Sequence, residues 1–128
     1  MGVSRFEDLD AWQLADAVEK EVFAFTATGP ASRDFAYRDQ IRDSARSAPA
    51  NIAEGFGRYY PKEFRRFLRI ACGSLNETRN YVHHGLDRGF LDHSQHGALV
   101  RLTRRAIAAN ERLQTYLENC DNPPPRRA

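Results

Sequence analysis

Apolar residues recur along this chain at intervals of three and four and nowhere alternate over a run long enough for a strand, so the pattern predicts helices throughout. Four segments emerge. The first begins between Ser4 and Asp10 and runs to about Thr28, where Gly29-Pro30 ends it. Ser4 and Glu7 stand at capping-box spacing, with Asp8 and Asp10 as rival caps. At 100° per residue Ala11, Leu14, Ala15, Val18, Val22 and Phe25 share one stripe, while Leu9, Trp12 and Phe23 fall elsewhere. Two apolar faces on one short helix imply that one packs inside the subunit and the other, with Trp12 and Phe23, meets a neighbour.

The second segment, about Arg33 to Phe56, carries Ile41, Ala45, Ala48, Ile52 and Phe56 as its core stripe, with a kink or brief break expected near Ser47 because of Pro49. Beside that stripe Gln40, Ser44, Ser47, Asn51 and Glu54 line up at 4-3-4-3 spacing. This is either a solvated face or a hydrogen-bonded seam against another helix of the bundle or of a second subunit. Asn51 and Glu54 read as structural, available to backbone groups exposed at the kink. Gly55 and Gly57 are expected to end the segment. Pro61 then suits the first turn of the third, about Pro61 to Arg88, with Phe64, Phe67, Leu68, Ala71, Leu75, Thr78, Val82 and Leu86 inward. Gly89 marks a turn, and Asp92 or Ser94 caps the fourth, which runs to about Asn119 with Leu99, Leu102, Ala106, Leu113, Tyr116 and Leu117 inward. Residues 1–120 thus form one domain, and 121–128, rich in proline and arginine, read as a flexible, extended tail.

With 128 residues, 41% hydrophobic and 28% charged, the chain suits one compact core that needs no disulfide. Cys72 and Cys120 lie in no CxxC or metal-ligand spacing, and no signal peptide precedes them, so a reduced, cytoplasmic protein is expected. The longest charge-free apolar run, Val22 to Ser32, is 11 residues and contains Gly29 and Pro30, too short for a membrane span.

Net charge is +2, but it is unevenly spread: residues 1–57 hold 6 basic and 10 acidic residues, and 58–128 hold 13 and 7. Seventeen of the basic residues are arginine, which either reflects genome composition or suits phosphate and carboxylate contacts. The third segment gathers Lys62, Arg65, Arg66 and Arg69 on its outer face behind Arg58, Tyr59 and Tyr60, and the fourth gathers Arg101, Arg104, Arg105 and Arg112. Packed antiparallel, the two segments present both stripes to one solvent side, where arginines neutralise phosphates and Tyr59 or Tyr60 stacks on an unpaired base. A soluble arginine-rich face and an acidic protein partner are the competing readings.

Catalytic and cofactor signatures are missing. No glutamate has a histidine three residues on, as a di-iron bundle requires. No cysteine or carboxylate stands at a spacing that completes a metal site around His93 and His96, and His83, His84, His93 and His96 read as polar residues near helix ends. Gly55-Phe-Gly57-Arg58 lacks the residues that close a phosphate-binding loop, and no nucleophile elbow occurs. A non-enzyme without cofactor or metal is expected.

Pro49-Ala-Asn-Ile-Ala-Glu-Gly55, followed by Gly57-Arg58, Glu63-Phe64, Phe67-Leu68, Ile70-Ala71, Gly73-Ser-Leu75 and Glu77, resembles the 23S ribosomal RNA intervening-sequence proteins, also called the four-helix bundle protein family. Phe6-Glu-Asp-Leu9 with Trp12, Gln40-Ile-Arg42 and Gly89-Phe-Leu91 fit the same pattern, so the likeness spans about residues 6 to 118. It implies an all-α, left-handed up-down-up-down four-helix bundle assembled into a ring-shaped homo-oligomer, typically a pentamer. It also implies kinship with the accessory proteins of diversity-generating retroelements, which bind a reverse transcriptase and nucleic acid, RNA or DNA, through a basic surface. Under that resemblance Trp12, Phe23, Gln40, Ser44, Ser47 and Asn51 make contacts within the bundle or between subunits. Asp43 stands where an arginine is usual, Arg46 where an aliphatic residue is usual, and Tyr60 where a serine or threonine cap is usual. These departures shift the expected binding role from the second helix to the third and fourth.

Overall fold

A computed structural model describes residues 3–58 and 60–120. Tyr59 and the proline-rich segment 121–128, including its expected extension, lie outside the described residues. A 3-10 turn at Phe6–Asp8 leads into α1 (Asp10–Thr26), α2 (Gly29–Arg33), α3 (Phe35–Arg58), α4 (Pro61–Asp87) and α5 (His93–Glu118). The described chain is all helical, a bundle of four long helices and one short one.

The start of α1 differs from expectation. Neither the Ser4–Glu7 box nor an aspartate cap forms: Leu9 precedes the helix with extended backbone and no side-chain cap bond. Leu9 is 5% exposed and belongs to the core rather than to an outer face. Burying a leucine stabilises by about 1.5–3 kcal/mol against about 1 kcal/mol for a cap, which explains which one wins. α1 ends at Thr26, two residues short of the predicted Thr28, and Gly29-Pro30 does not end it: Gly29, at φ +72°, opens the unpredicted α2, with Pro30 in its first turn and Ala31 buried. Asp34 then accepts a hydrogen bond from Tyr37 N at 3.1 Å, so α3 starts two residues later than the pattern suggests.

Neither Pro49 nor the glycines break α3. Pro49 denies the Ala45 carbonyl its usual partner, yet the helix runs through because both sides of the proline are held to α4. Before it, Thr78 Oγ1 donates to Ser44 Oγ at 2.9 Å; the Ser47 and Ser74 hydroxyls, two residues short of the proline, lie 2.8 Å apart. Beyond it lies Gly55, where a Cβ would stand 2.7 Å from Phe67 Cβ and 3.0 Å from Phe64 Cδ1. Gly55 is therefore a close approach of two helices and not a terminator. Gly85 makes the same kind of contact at the other end, against the Tyr37 hydroxyl, which donates to Tyr81 O at 2.6 Å.

Pro61 opens α4 as expected, Gly89 turns at φ +75°, and Asp92 is the cap of α5. Gln95 N donates to Asp92 Oδ1 at 2.7 Å, and Gln95 Oε1 accepts from Asp92 N at 2.9 Å. The stripe of α5 is rotated from the predicted one: Tyr116 is exposed, and Val100, Thr103, Ala109 and Asn110 are buried. Asn110 is fully buried but satisfied, donating to Leu68 O at 3.1 Å and accepting from Gln114 at 2.8 Å. The long helices contact one another in a circuit, α1 with α3, α3 with α4, α4 with α5 and α5 with α1, around Val18, Ile41, Ile52, Phe64, Leu68 and Leu75.

Candidate nucleic-acid interface

The basic residues of α4 divide by the neighbours available to them. Arg58 reaches Glu54 at 3.1 Å and Arg66 reaches Glu63 at 3.5 Å, and both guanidinium groups lie over the Phe67 ring, at 5.3 and 4.8 Å from its centre. Lys62, Arg65 and Arg69 form no ion pair among the described residues, with Lys62 and Arg69 exposed and Arg65 half-buried. They follow one another at three and four residues, a row along the helix. Sequence reasoning missed the pairs Glu54–Arg58 and Glu63–Arg66, which their i,i+4 and i,i+3 spacing could have revealed.

The four arginines of α5 do not join that row as a block. Arg101, Arg105 and Arg112 line clefts between α5 and α1, together with Glu21, Asp10 and Gln13. Arg104 lies on the other side, close enough to His83 of α4 to act on its charge, as does Arg79. Of the four, Arg104 is thus the one set beside α4, near His83, while Arg101, Arg105 and Arg112 face α1. Arg79, which donates to Asn76 Oδ1 at 2.9 Å, is a further cation near this junction that the periodicity did not single out.

His83 and His96 bridge α4 and α5, Nδ1 to Nε2 at 2.9 Å. Burial, then the neighbouring His96, Arg79 and Arg104, hold the His83 imidazole below its ordinary pKa, partly opposed by Asp87. Among the described residues no three His, Cys, Asp or Glu side chains gather as a metal would need. Burial, with Glu111 nearby, pushes the Cys72 thiol up to about 11, as befits an inert packed residue.

The residues expected at subunit contacts occupy mixed positions. Ser44 is buried and spends its hydroxyl on Thr78 and the Ile41 carbonyl inside the chain; Ser47 meets Ser74 and the Asn51 amide. The polar stripe is therefore a hydrogen-bonded seam between α3 and α4, with Gln40 exposed at one end. Asn51 also donates to Ser47 O at 2.8 Å, whereas Glu54 serves Arg58 rather than the backbone. Trp12 is half-buried edge-on to Phe6, and half-buried Phe23 lies under Arg42 and Arg46 at 4.4 and 5.4 Å. Arg42 also donates to Thr26 Oγ1 at 2.8 Å, while Asp43 and Arg46 pair with each other at 3.2 Å. Tyr60 precedes α4 without a side-chain cap bond.

Residues 7–110, from the 3-10 turn into α5, match the family described as 23S rRNA-intervening sequence protein. The chain belongs to that family. Among solved structures, this intervening-sequence family member is similar to a protein of unknown function from the S23 ribosomal protein family of Bacteroides thetaiotaomicron. The two are 18% identical with a TM-score of 0.70, covering 85% of this chain and 99% of that one. No curated protein matches the chain. In the described part of this family member no helix is long and apolar enough to cross a membrane.

Proposed function

We propose that this protein is a non-catalytic, cytoplasmic helical bundle that binds structured RNA through the cationic row of α4, Lys62, Arg65 and Arg69, extended by Arg104 of α5. The observation that carries the reading is this row, free of acidic partners among the described residues, in a member of a family named for intervening sequences of 23S rRNA. Phosphates supply the affinity of such a surface, because each neutralised phosphate releases counterions. Arg58 and Arg66 contribute less, since an RNA must first compete with Glu54 and Glu63.

In the same proposal the long helices run up-down-up-down in a left-handed bundle. Contacts in opposite order along neighbouring helices support that: Tyr37 with Tyr81, Ser44 with Thr78 and Ser47 with Ser74; then Phe23 with Arg46 and Thr26 with Arg42. A homo-oligomeric ring, a pentamer by the family resemblance, repeats the row around an axis and raises avidity.

Anisotropy titration of a labelled, structured RNA at low and at physiological salt tests the binding. Affinity that falls steeply with salt is expected, with Arg65→Glu/Arg69→Glu lowering the slope of log affinity against log salt by about two. Unchanged binding by that variant overturns the assignment, and no binding by intact wild-type protein overturns the RNA reading in favour of a protein partner such as a reverse transcriptase.

A further inference from the structure

The seam between α1 and α5 holds clefts larger than the one of about 280 Å³ that opens beside Ser47 and Ser74 between α3 and α4. Its largest cleft, about 590 Å³, has a floor of buried Leu91 and Leu99 and half-buried Phe25 and Leu102. Arg101 and Arg105 stand on the α5 side of the rim and Glu21 on the α1 side. Neither arginine forms an ion pair among the described residues. Gly97 makes room for one of them: a Cβ there would stand 3.2 Å from Arg101 Nη1, so the guanidinium folds back along α5 over the glycine.

A concave site of this size, within the range of about 300–1,000 Å³ typical of small-molecule pockets, combines an apolar floor with two guanidinium groups on one edge. That combination suits neither a nucleic-acid backbone, which has no hydrocarbon to bury, nor a neutral lipid, which leaves the arginines unused. We propose that the cleft binds an amphiphilic carboxylate of medium chain length, its hydrocarbon over Phe25, Leu99 and Leu102 and its head group held by Arg101 and Arg105. Arginine is the side chain for the task, because its fork meets both carboxylate oxygens. Glu21 is the acid facing the head group, and it opposes binding. The site is separate from the α4 row, so either proposal stands or falls without the other.

Calorimetric titration of dodecanoate, below its micelle concentration, into the full chain at pH 7.5 tests the inference. One saturable site per chain is expected, weakened tenfold or more by Arg101→Ala/Arg105→Ala and tightened severalfold by Glu21→Gln, with dodecanol binding at least tenfold more weakly. Leu102→Trp, which fills the cleft, abolishes binding while circular dichroism and the melting temperature report that the bundle remains folded. No saturable binding, many equivalent sites, or equal affinity for dodecanol or for the double arginine variant overturns the proposal.

Discussion

Gly55 and Gly73 each lie inside a long helix, where only proline is less suited, and their surroundings give them opposite meanings. A methyl group at Gly55 meets Phe67 Cβ at 2.7 Å and the Phe64 carbonyl at 3.2 Å, atoms that cannot swing aside. Overpacking of this kind costs about 1–3 kcal/mol, more than the gain in helix propensity of about 1 kcal/mol, so Gly55→Ala is expected to lower the melting temperature. At Gly73 nothing lies within 4 Å, and Gly73→Ala is expected to stabilise by about 0.8–1 kcal/mol. Thermal or urea denaturation of the two variants checks the contrast; stabilisation by both contradicts the close approach of α3 and α4. The same scale explains buried Phe67 and half-buried Phe23: each lies beneath two guanidinium groups, which cover apolar surface while staying in water.

At the scale of elements, the boundaries written into local chemistry were legible. Pro61 at a first turn, Gly89 at positive φ and Asp92 three residues before Gln95 act on their own neighbours, and each stands where the pattern put it. Where the outcome depends on another helix, local pattern misleads. Gly55 looks like a stop until Phe64 and Phe67 fold back onto it, Pro49 looks like a break until α4 holds both its sides, and five residues with one buried alanine give α2 no pattern. The candidate site divides likewise. Spacing alone located the α4 row, but the rotation of α5, which turns Arg101, Arg105 and Arg112 toward α1, is set by packing that a broad apolar stripe leaves open. The junction of α4 and α5 also carries a pH dependence. His83 is held below its ordinary pKa, so the folded state favours the neutral ring; the stability this contributes is present in full above pH ~6.5 and is lost as pH falls through the lowered value. Melting temperature is expected to fall between pH 7.5 and 5 by more in the wild type than in His83→Gln, and equal falls contradict the coupling.

For the whole molecule, charge and assembly act together. The acidic residues concentrate before residue 58 and the basic ones after it, so a bundle built from both halves presents fields of opposite sign on different helices. In the proposed ring these opposite fields would meet head to tail between neighbouring copies, the arrangement from which rings close. The proposed oligomer is expected to scatter light as about five times the 14.6 kDa of one chain and to melt at a temperature that rises with protein concentration. A single-chain mass with a concentration-independent melting temperature contradicts it.

The unequal closure of the two seams has a consequence in time. Where α3 meets α4, glycines let the backbones approach and hydroxyls join across the gap, whereas α1 meets α5 across clefts. Fluctuations are expected to follow the weaker seam, with α1 lifting from the bundle while the hairpin of α3 and α4 stays intact, so its amides should exchange hydrogen for deuterium before those of α4. Hydrogen exchange that is faster in α1 than in α4 would divide the molecule into a durable half and a breathing half, with the cleft between α1 and α5 in the half that breathes.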